Sequence, residues 1–470
     1  MTLLPDTSGY DLIAIGSGPA GQCAAIQAAK LGKRVAVVER ERVLGGRSVN
    51  GGTLPSKTLR AAIVELTGLY GGPPRLRREL TIDDLLWRAQ DVIEHERDSI
   101  HHDLRRHGVD VLVGVGSFVD PRTLEIRSSQ ASRRVRSERF VIAVGTRPSR
   151  PPGFDFDERT VIDGDGILGL SRIPETLVIV GGGVVGLEYA SMAAALGVGV
   201  TLVEAQHRVL DFVDNELAEA LRYHLCGLGV VFRLGDAVKA VERDRTGASV
   251  HLAGGSCLRA EAVLHAGTRR GATDELNLGA AGVLADDRGR IPVDREYRTA
   301  CAHIFAAGAV VGFPGLASTS REQGRHAALT ALGETAESRT HSPYGIYTIP
   351  EIAFVGVNER ELLGTGVPYV VGIGRYRQLT NGQIEGDRTG RLKVLVHAES
   401  RRVLGVHVFG TAAAELVHLG QAVMAGGLPI DYLAEAVFNV PTFTEAYSLA
   451  AAAAVKELGA FEPARTRSAA

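Results

Sequence analysis

The chain has 470 residues, which at roughly 150 residues per unit suggests about three compact domains with ample material for buried cores. With 52 basic against 54 acidic side chains there is no positive excess to drive phosphate-backbone binding, and nucleic acid is excluded as a partner. Hydrophobic residues at 45% and charged residues at 23% fit a soluble globular protein, and the 57 glycines are the one conspicuous excess.

Met1 to Tyr10 has neither a basic region nor an apolar one, so no secretory signal is read there. The cysteines, Cys23, Cys226, Cys257 and Cys301, are widely spaced with no metal-ligand pattern. Both features point to a reduced, cytoplasmic chain without a metal site.

The first recognisable unit follows at once. Asp11 to Ile15 predicts an apolar strand, Gly16-Ser17-Gly18-Pro19-Ala20-Gly21 a turn, Gln22 to Leu31 a helix, and Arg34 to Val38 a second strand ending at Glu39. Arg139 to Val144 predicts another strand, followed by Gly145, and the run Pro148 to Pro152 marks a linker. The unit then recurs: strand Thr176 to Val180, turn Gly181-Gly182-Gly183-Val184-Val185-Gly186, helix Leu187 to Leu196, and strand Val198 to Val203 ending at Glu204. First glycine and acid lie 23 residues apart in both copies.

G-x-G-x-x-G alone is a weak signal. Here each copy follows a strand, opens an Ala-rich helix and is answered by an acid at a strand end, which is the context of a dinucleotide site. The first glycine (Gly16, Gly181) permits the tight turn and the second (Gly18, Gly183) lets pyrophosphate approach the backbone. The third (Gly21, Gly186) lets helix and strand pack closely, while Glu39 and Glu204 accept ribose hydroxyls. Two such sites in one chain indicate one resident and one exchanging dinucleotide, FAD and NAD(P). The apolar stretch Leu177 to Val203 is then a buried strand–turn–helix–strand and not a membrane span.

The second unit ends near Gly267, and strand Ile304 to Ala307, turn Gly308 to Gly315 and helix Ser318 to Leu332 return to the first. Past a polar linker, Glu334 to Ser342, come strands Leu392 to Val396 and Val403 to Phe409 and helix Ala412 to Ala425. The expected fold class is α/β: two Rossmann-like domains, FAD-binding at 1–150 with a return segment at 271–342, and NAD(P)-binding at 151–270. A C-terminal α+β dimerisation domain occupies 343–470.

These motifs resemble the flavoprotein pyridine nucleotide-disulfide oxidoreductases, and among them the soluble pyridine nucleotide transhydrogenases. The resemblance rests on both glycine turns, Gly45-Gly46, Gly52 to Lys57, Ala307-Gly308, Tyr347 to Ile352, Leu404 to His407, and Pro441 to Glu445. It implies further FAD contacts at Gly46, Thr53, Lys57, Gly116, Gly145, Gly308, Ala309 and Ala317, and a homodimer built by the C-terminal domain. It also implies a catalytic pair, Lys57 beside flavin N5 with Glu188 as its partner. Only six of the chain's 52 basic residues are lysines, so a lysine kept at 57 stands out.

Against the family pattern, Ser48 and Thr53 stand where disulfide reductases carry a C-x-x-x-x-C pair, and Val440 where they carry a proton-shuttling histidine. Hydroxyls do no thiolate chemistry at neutral pH, so a disulfide relay through these positions is excluded. Ala309 replaces an aspartate that binds the ribityl chain, and Val184 an aromatic gate over the flavin. Three functions are compatible with this: hydride transfer from NADPH through FAD to NAD⁺, an NADH-dependent reductase of a quinone or other small organic acceptor, and a catalytically degenerate dinucleotide-binding protein. The small-residue faces of Ala412 to Ala425 and Leu449 to Val455 suit a two-fold interface or, alternatively, the chain's own core.

Overall fold

The computed structural model describes residues 9–68, 82–129, 131–337 and 341–468, so most of Met1 to Tyr10 and part of the linker Glu334 to Ser342 lie outside the described residues. Contacts divide the chain into two compact units. One contains Met1–Leu59, Asp83–Arg150 and Thr268–Ser338, the other Arg60–Ile82, Pro151–Gly267 and Arg339–Ala470.

The chain opens with β1 (Tyr10–Ile15), α1 (Pro19–Lys30), β2 (Val35–Glu39), α2 (Gly46–Asn50), α3 (Thr53–Thr67) and α4 (Ile82–Arg106). Strands β3 (Asp110–Val113), β4 (Val115–Asp120), β5 (Thr123–Arg127), β6 (Ser132–Ile142) and β7 (Thr146–Pro148) follow. Strand β1 pairs in parallel with both β2 and β6, and all five residues of β2 are buried, as expected of a sheet covered on both faces. The strand expected at Arg139 begins at Ser132 and stops at Ile142, because its first half alternates exposed and buried residues to form an antiparallel meander with β5 and β4.

The second copy runs through β8 (Val161–Asp163), β9 (Thr176–Val180), α5 (Val184–Ala195), β10 (Gly199–Glu204), α6 (Asn215–Gly227) and β11 (Val231–Leu234). An antiparallel meander of β12 (Val238–Asp244), β13 (Gly247–Leu252) and β14 (Cys257–Ala260) comes next, and β15 (Ala262–His265) closes the segment. Its parallel sheet has the order β11-β10-β9-β15-β8, so β9 lies between β10 and β15 as β1 lies between β2 and β6. Both helices expected after the glycine turns begin about a turn earlier, at Pro19 and Val184, since the turn's last residues are already helical.

The return segment adds β16 (Arg269–Gly271), antiparallel to β7, then β17 (Ile304–Ala306), parallel to β6, and α7 (Ala317–Ala331). Helix α7 lies against α1 at backbone distance: a Cβ on Gly324 would stand 2.0 Å from the Ala20 carbonyl oxygen.

The remainder comprises β18 (Tyr344–Ile346), β19 (Glu351–Gly356), α8 (Glu359–Thr365), β20 (Tyr369–Arg375), α9 (Thr380–Ile384), β21 (Arg391–His397) and β22 (Val403–Gly410), with helices α10 (Ala413–Ala425), α11 (Ile430–Glu435) and α12 (Glu445–Ser468). The strands form one antiparallel sheet, β18-β19-β22-β21-β20. The alanine run of α12 is not a free face. Ala446, Ala450 and Ala454, one turn apart, are fully buried against β20, where a Cβ on Gly372 or Gly374 would stand 2.0 or 2.2 Å from the carbonyl oxygens of Ala450 and Ala446. One face of the run Leu449 to Val455 therefore serves the chain's own core, while Ala452 on its other side is exposed and Leu449, Ala453 and Val455 are half-buried.

At one edge of this domain Arg401 binds Asp431, the first-turn acid of α11, through Nε at 2.8 Å and a second guanidinium nitrogen. These hydrogen bonds hold the Asp431 carboxyl below its ordinary range. A depressed folded-state value gives stability that is full above the unfolded value of about 4 and is lost as pH falls through the folded value. The difference in melting temperature between the native chain and Asp431→Asn should therefore be present near pH 7 and close as pH falls below the ordinary carboxylate range. Scanning calorimetry across that range checks it; a gap independent of pH would assign the effect to something other than the ion pair.

Candidate functional site

In the first unit β1 ends against a turn that only glycine permits. Gly16 has φ +106°, and a Cβ there would stand 2.5 Å from the Ala143 carbonyl oxygen. A Cβ on Gly21 would meet the Gly16 carbonyl oxygen at 1.8 Å, so the strand and α1 touch through their backbones. Gly18 differs: its missing Cβ faces nothing within 4 Å, and it caps α1 without a side-chain hydrogen bond. With no side-chain cap, the start of α1 presents the positive end of its helix dipole at Gly18. That is a cradle a side chain would fill, and it suits a diphosphate.

Buried Glu39 closes one flank. Its Oε2 accepts the Ser17 amide at 2.9 Å and the Ser17 hydroxyl at 2.6 Å, and its Oε1 accepts the Glu41 amide. The Ser17 Oγ in turn accepts the Gly45 amide at 3.0 Å, which draws the Gly45-Gly46 segment over the turn. A Cβ on Gly46 would stand 2.9 Å from the Gly18 Cα, so Gly46 is needed for this approach.

The return segment closes the other flank. Gly308, at φ +85°, donates its amide to Gln323 Oε1 at 2.8 Å, and its missing Cβ points between Ala20, in the first turn of α1, and Ser320, in the first turn of α7. Helix α7 also begins without a side-chain cap, with Ala317 as its first residue. Two uncapped helix N-termini therefore meet at Gly308.

The structure thus brings together Gly16, Gly18, Gly21, Glu39, Gly46 and Gly308, with half-buried Ala309 and Ala317 on the same turn and helix start. Gly145 stands two residues beyond Ala143, with φ +66°, and its carbonyl accepts the Ala272 amide. Gly116 is buried in β4, where a Cβ would meet Leu124 at 3.1 Å and Val38 at 3.4 Å. Thr53 and Lys57 lie on the first two turns of α3, Thr53 exposed and Lys57 half-buried. Ser48 is half-buried in α2.

In the second unit the turn is rebuilt almost atom for atom. Gly181 has φ +116°, a Cβ on Gly186 would stand 1.9 Å from the Gly181 carbonyl oxygen, and Gly183 faces nothing within 4 Å. Glu204 Oε2 accepts the Gly182 amide at 2.6 Å and its Oε1 the Gln206 amide at 2.8 Å, as Glu39 does with Ser17 and Glu41. The buried Glu188 carboxylate, on the second turn of α5, accepts the Tyr347 amide at 2.9 Å through Oε1, and Ser191 accepts that of Ile349. Burial, with the Glu188 charge nearby, pushes the neighbouring Tyr344 phenol up to about 12. Arg60 completes this wall, reaching the Thr348 carbonyl at 3.0 Å and Glu351 at 3.1 Å.

Residues 10–324 match the family model for pyridine nucleotide-disulphide oxidoreductases, and residues 342–451 the model for the dimerisation domain of that family. The chain belongs to this family. It is 51% identical over 450 residues to a soluble pyridine nucleotide transhydrogenase of Mycobacterium tuberculosis, covering 94% of this chain and 96% of that one. A relative of the same description from Photobacterium profundum is 40% identical over 452 residues, with the same coverage. Among solved structures it is similar to the Cu(II) complex of the HOCl-induced flavoprotein disulfide reductase RclA from Escherichia coli, with a TM-score of 0.87, 27% identity, and 95% and 99% of the two chains covered. LpdA from Mycobacterium tuberculosis gives a TM-score of 0.87 at 26% identity, with 94% and 99% covered.

Family membership bears out the resemblance read from the motifs, the α/β class with a dimerisation domain, and FAD and NAD(P) as cofactors. The dimerisation-domain match supports a homodimer. Among the described residues no helix is long and apolar enough to cross a membrane. Sequence reasoning missed Ser17, Gln22, whose side chain binds the Ser17 carbonyl at 2.6 Å, and Gln323. The available signal was a hydroxyl inside a buried turn, which must find a partner.

The two classes of glycine should separate experimentally. Gly183→Ala adds a Cβ that meets no protein atom at an ordinary φ of −80°, so melting temperature without nucleotide should change little while NADH affinity falls by at least about tenfold. Gly186→Ala should instead destabilise the fold by about 1–3 kcal/mol or more, through the clash with Gly181. Calorimetry and NADH titration of the two variants measure both; equal melting temperatures would contradict the packing described.

Proposed function

We propose that the chain passes hydride from NADPH through FAD to NAD⁺, as a transhydrogenase without a disulfide relay. The observation that carries this reading is the pair of like-built glycine turns, each with its own acid, in a chain whose positions 48 and 53 hold hydroxyls. Residues 1–150 and 271–342 would hold FAD, 151–270 the nicotinamide nucleotide and 343–470 the dimer interface. FAD, when bound, supplies two-electron acceptance and release at one ring system.

The chain's own residues supply binding, orientation and charge. Uncapped amides of α1 and α7 face one dinucleotide and those of α5 the other. Both oxygens of Glu204 already accept backbone amides, which fixes the carboxylate, and each keeps a lone pair for a ribose hydroxyl. Lys57 and Glu188 keep the roles the resemblance implies, with Lys57 placing a fixed positive charge where hydride arrives. Ser48, Thr53 and the exposed Val440 shape surface but carry no electrons. Glu445, at the start of α12, accepts the Thr442 amide and serves as a helix-end acceptor.

The direct test is anaerobic: the yellow protein should be bleached by NADPH and restored by an NAD⁺ analogue, with no reduction of small disulfides. A protein bleached by nucleotide but restored only by quinones would favour the organic-acceptor reading, and one without flavin the degenerate one.

Because Glu204 offers carboxylate to hydroxyls and repels a phosphate, NAD(H) should bind more tightly than NADP(H), and Glu204→Ala should shrink that preference by about tenfold. Titration of both coenzymes against both proteins reads it out; an unmodified chain that prefers NADPH would displace Glu204 from the ribose.

Lys57→Met should slow flavin reduction by about a hundredfold while FAD stays bound, whereas Ser48→Ala and Thr53→Ala should leave it nearly unchanged. Stopped-flow absorbance decides between these roles. Loss of the half-reaction in Ser48→Ala or Thr53→Ala, but not in Lys57→Met, would redraw the hydride path.

A further inference from the structure

The loop that follows Glu204 is held in shape by residues far from it in sequence. Residues 205–208 are exposed beside the acid, whereas Val209 and Leu210 are buried. Leu210 donates its amide to the Gly182 carbonyl at 3.3 Å, so residue Gly182 is held by Glu204 at its amide and by Leu210 at its carbonyl. Leu210 does this at φ +48°, a left-handed conformation unfavourable for a leucine, which persists only where the surroundings over-determine it.

Those surroundings come from the C-terminal domain. Arg360 donates to the Asp211 carbonyl at 2.8 Å and to its carboxylate at 2.9 Å. The Phe212 ring packs 5.2 Å from Tyr344 and 6.2 Å from Phe354. Asp214, the N-cap of α6, is buried, and both its oxygens lie 3.1 Å from Lys393 Nζ. Lys393, 1% exposed, also reaches Glu216 at 3.3 Å and Glu359, so three carboxylates from two elements share one ammonium. These carboxylates have the spacing to hold a metal ion, but the place among them is taken by a cation attached to β21. Burial alone would lower the Lys393 pKa; the Glu359 and Asp214 carboxylates outweigh it and hold the ammonium above its ordinary value.

We propose that Lys393 and Arg360 are positioning residues for the nicotinamide nucleotide, fixing the loop 205–214 so that Gln206 and Arg208 meet the adenosine ribose in a set register with Glu204. This rests on the proposed function, which places that ribose at Glu204. The clamp acts through the loop and touches no nucleotide itself. Its loss frees Leu210 to leave the left-handed region, and the Gly182 carbonyl and the Gln206 amide lose their fixed positions with it.

The test is equilibrium binding of NADH and NADPH to the FAD-loaded dimer, with KM and kcat beside it, for Arg360→Ala, Arg360→Lys and Lys393→Met. In Arg360→Ala the NADH dissociation constant should rise about threefold or more and the NADPH-to-NADH ratio should shrink, the loss appearing in KM more than in kcat. Arg360→Lys should recover part of it, and Lys393→Met should exceed it. Should Lys393→Met fail to fold, the two Arg360 variants decide. A lowered melting temperature with unchanged dissociation constants and coenzyme ratio would overturn the proposal. An unmodified protein that binds neither coenzyme would instead overturn the site assignment on which it rests.

Discussion

Both dinucleotide turns depend on one constraint: the third glycine of each motif brings a helix so close to a strand end that no side chain fits between them. At Gly21 and Gly186 the missing Cβ would lie 1.8 and 1.9 Å from a carbonyl oxygen, far inside van der Waals contact. That contact sets the height of α1 and α5 over their sheets, and with it the direction in which the uncapped amides point. The acids follow from the same geometry, since Glu39 and Glu204 bind the residue between the first two glycines, Ser17 and Gly182. Each site is the rim of one tight helix–strand contact.

Much of this was legible in the residues because it is local. Turn, helix and acid all lie within 23 residues, and each element has a period or a glycine that specifies it. Boundaries slipped where a residue serves two elements, as at Pro19 and Val184, or where one strand belongs to two sheets, as in β6. The use of the α12 alanines was not legible: a small-residue face fits a partner helix or the chain's own strand equally well, and the choice was made by Gly372 and Gly374, some seventy residues away. Within the site, Gly308 could be named from its motif. That its amide is held by Gln323, and that two helix starts converge on it, depends on a crossover of about 150 residues that no spacing reveals.

Lysine shows the limit most sharply. The rarity of lysine drew attention to Lys57, yet Lys393 carries the more unusual environment, sunk in the apolar run Leu392 to Val396. A charge inside a buried strand is a plain sequence signal that a counter-charge must be waiting, because an unpaired ammonium there would be too costly to keep. Its identity is another matter. Asp214 and Glu216 lie at the start of α6 and Glu359 at the start of α8, so only the folded chain shows that one side chain ties the two together.

The two turns share a construction but not a covering. Over the first, Gly45 and Gly46 are drawn in by Ser17 and the acid is shut from solvent; over the second, Gly183 and residues 205–208 remain open and Glu204 is only half-buried. Under the proposed assignment the covered turn is the one given to resident FAD and the open one that given to the exchanging nicotinamide nucleotide. A difference in residence time would then be set by covering and not by the recognition motif. On that proposal, duplicate binding chemistry serves a prosthetic group at one end and a co-substrate at the other.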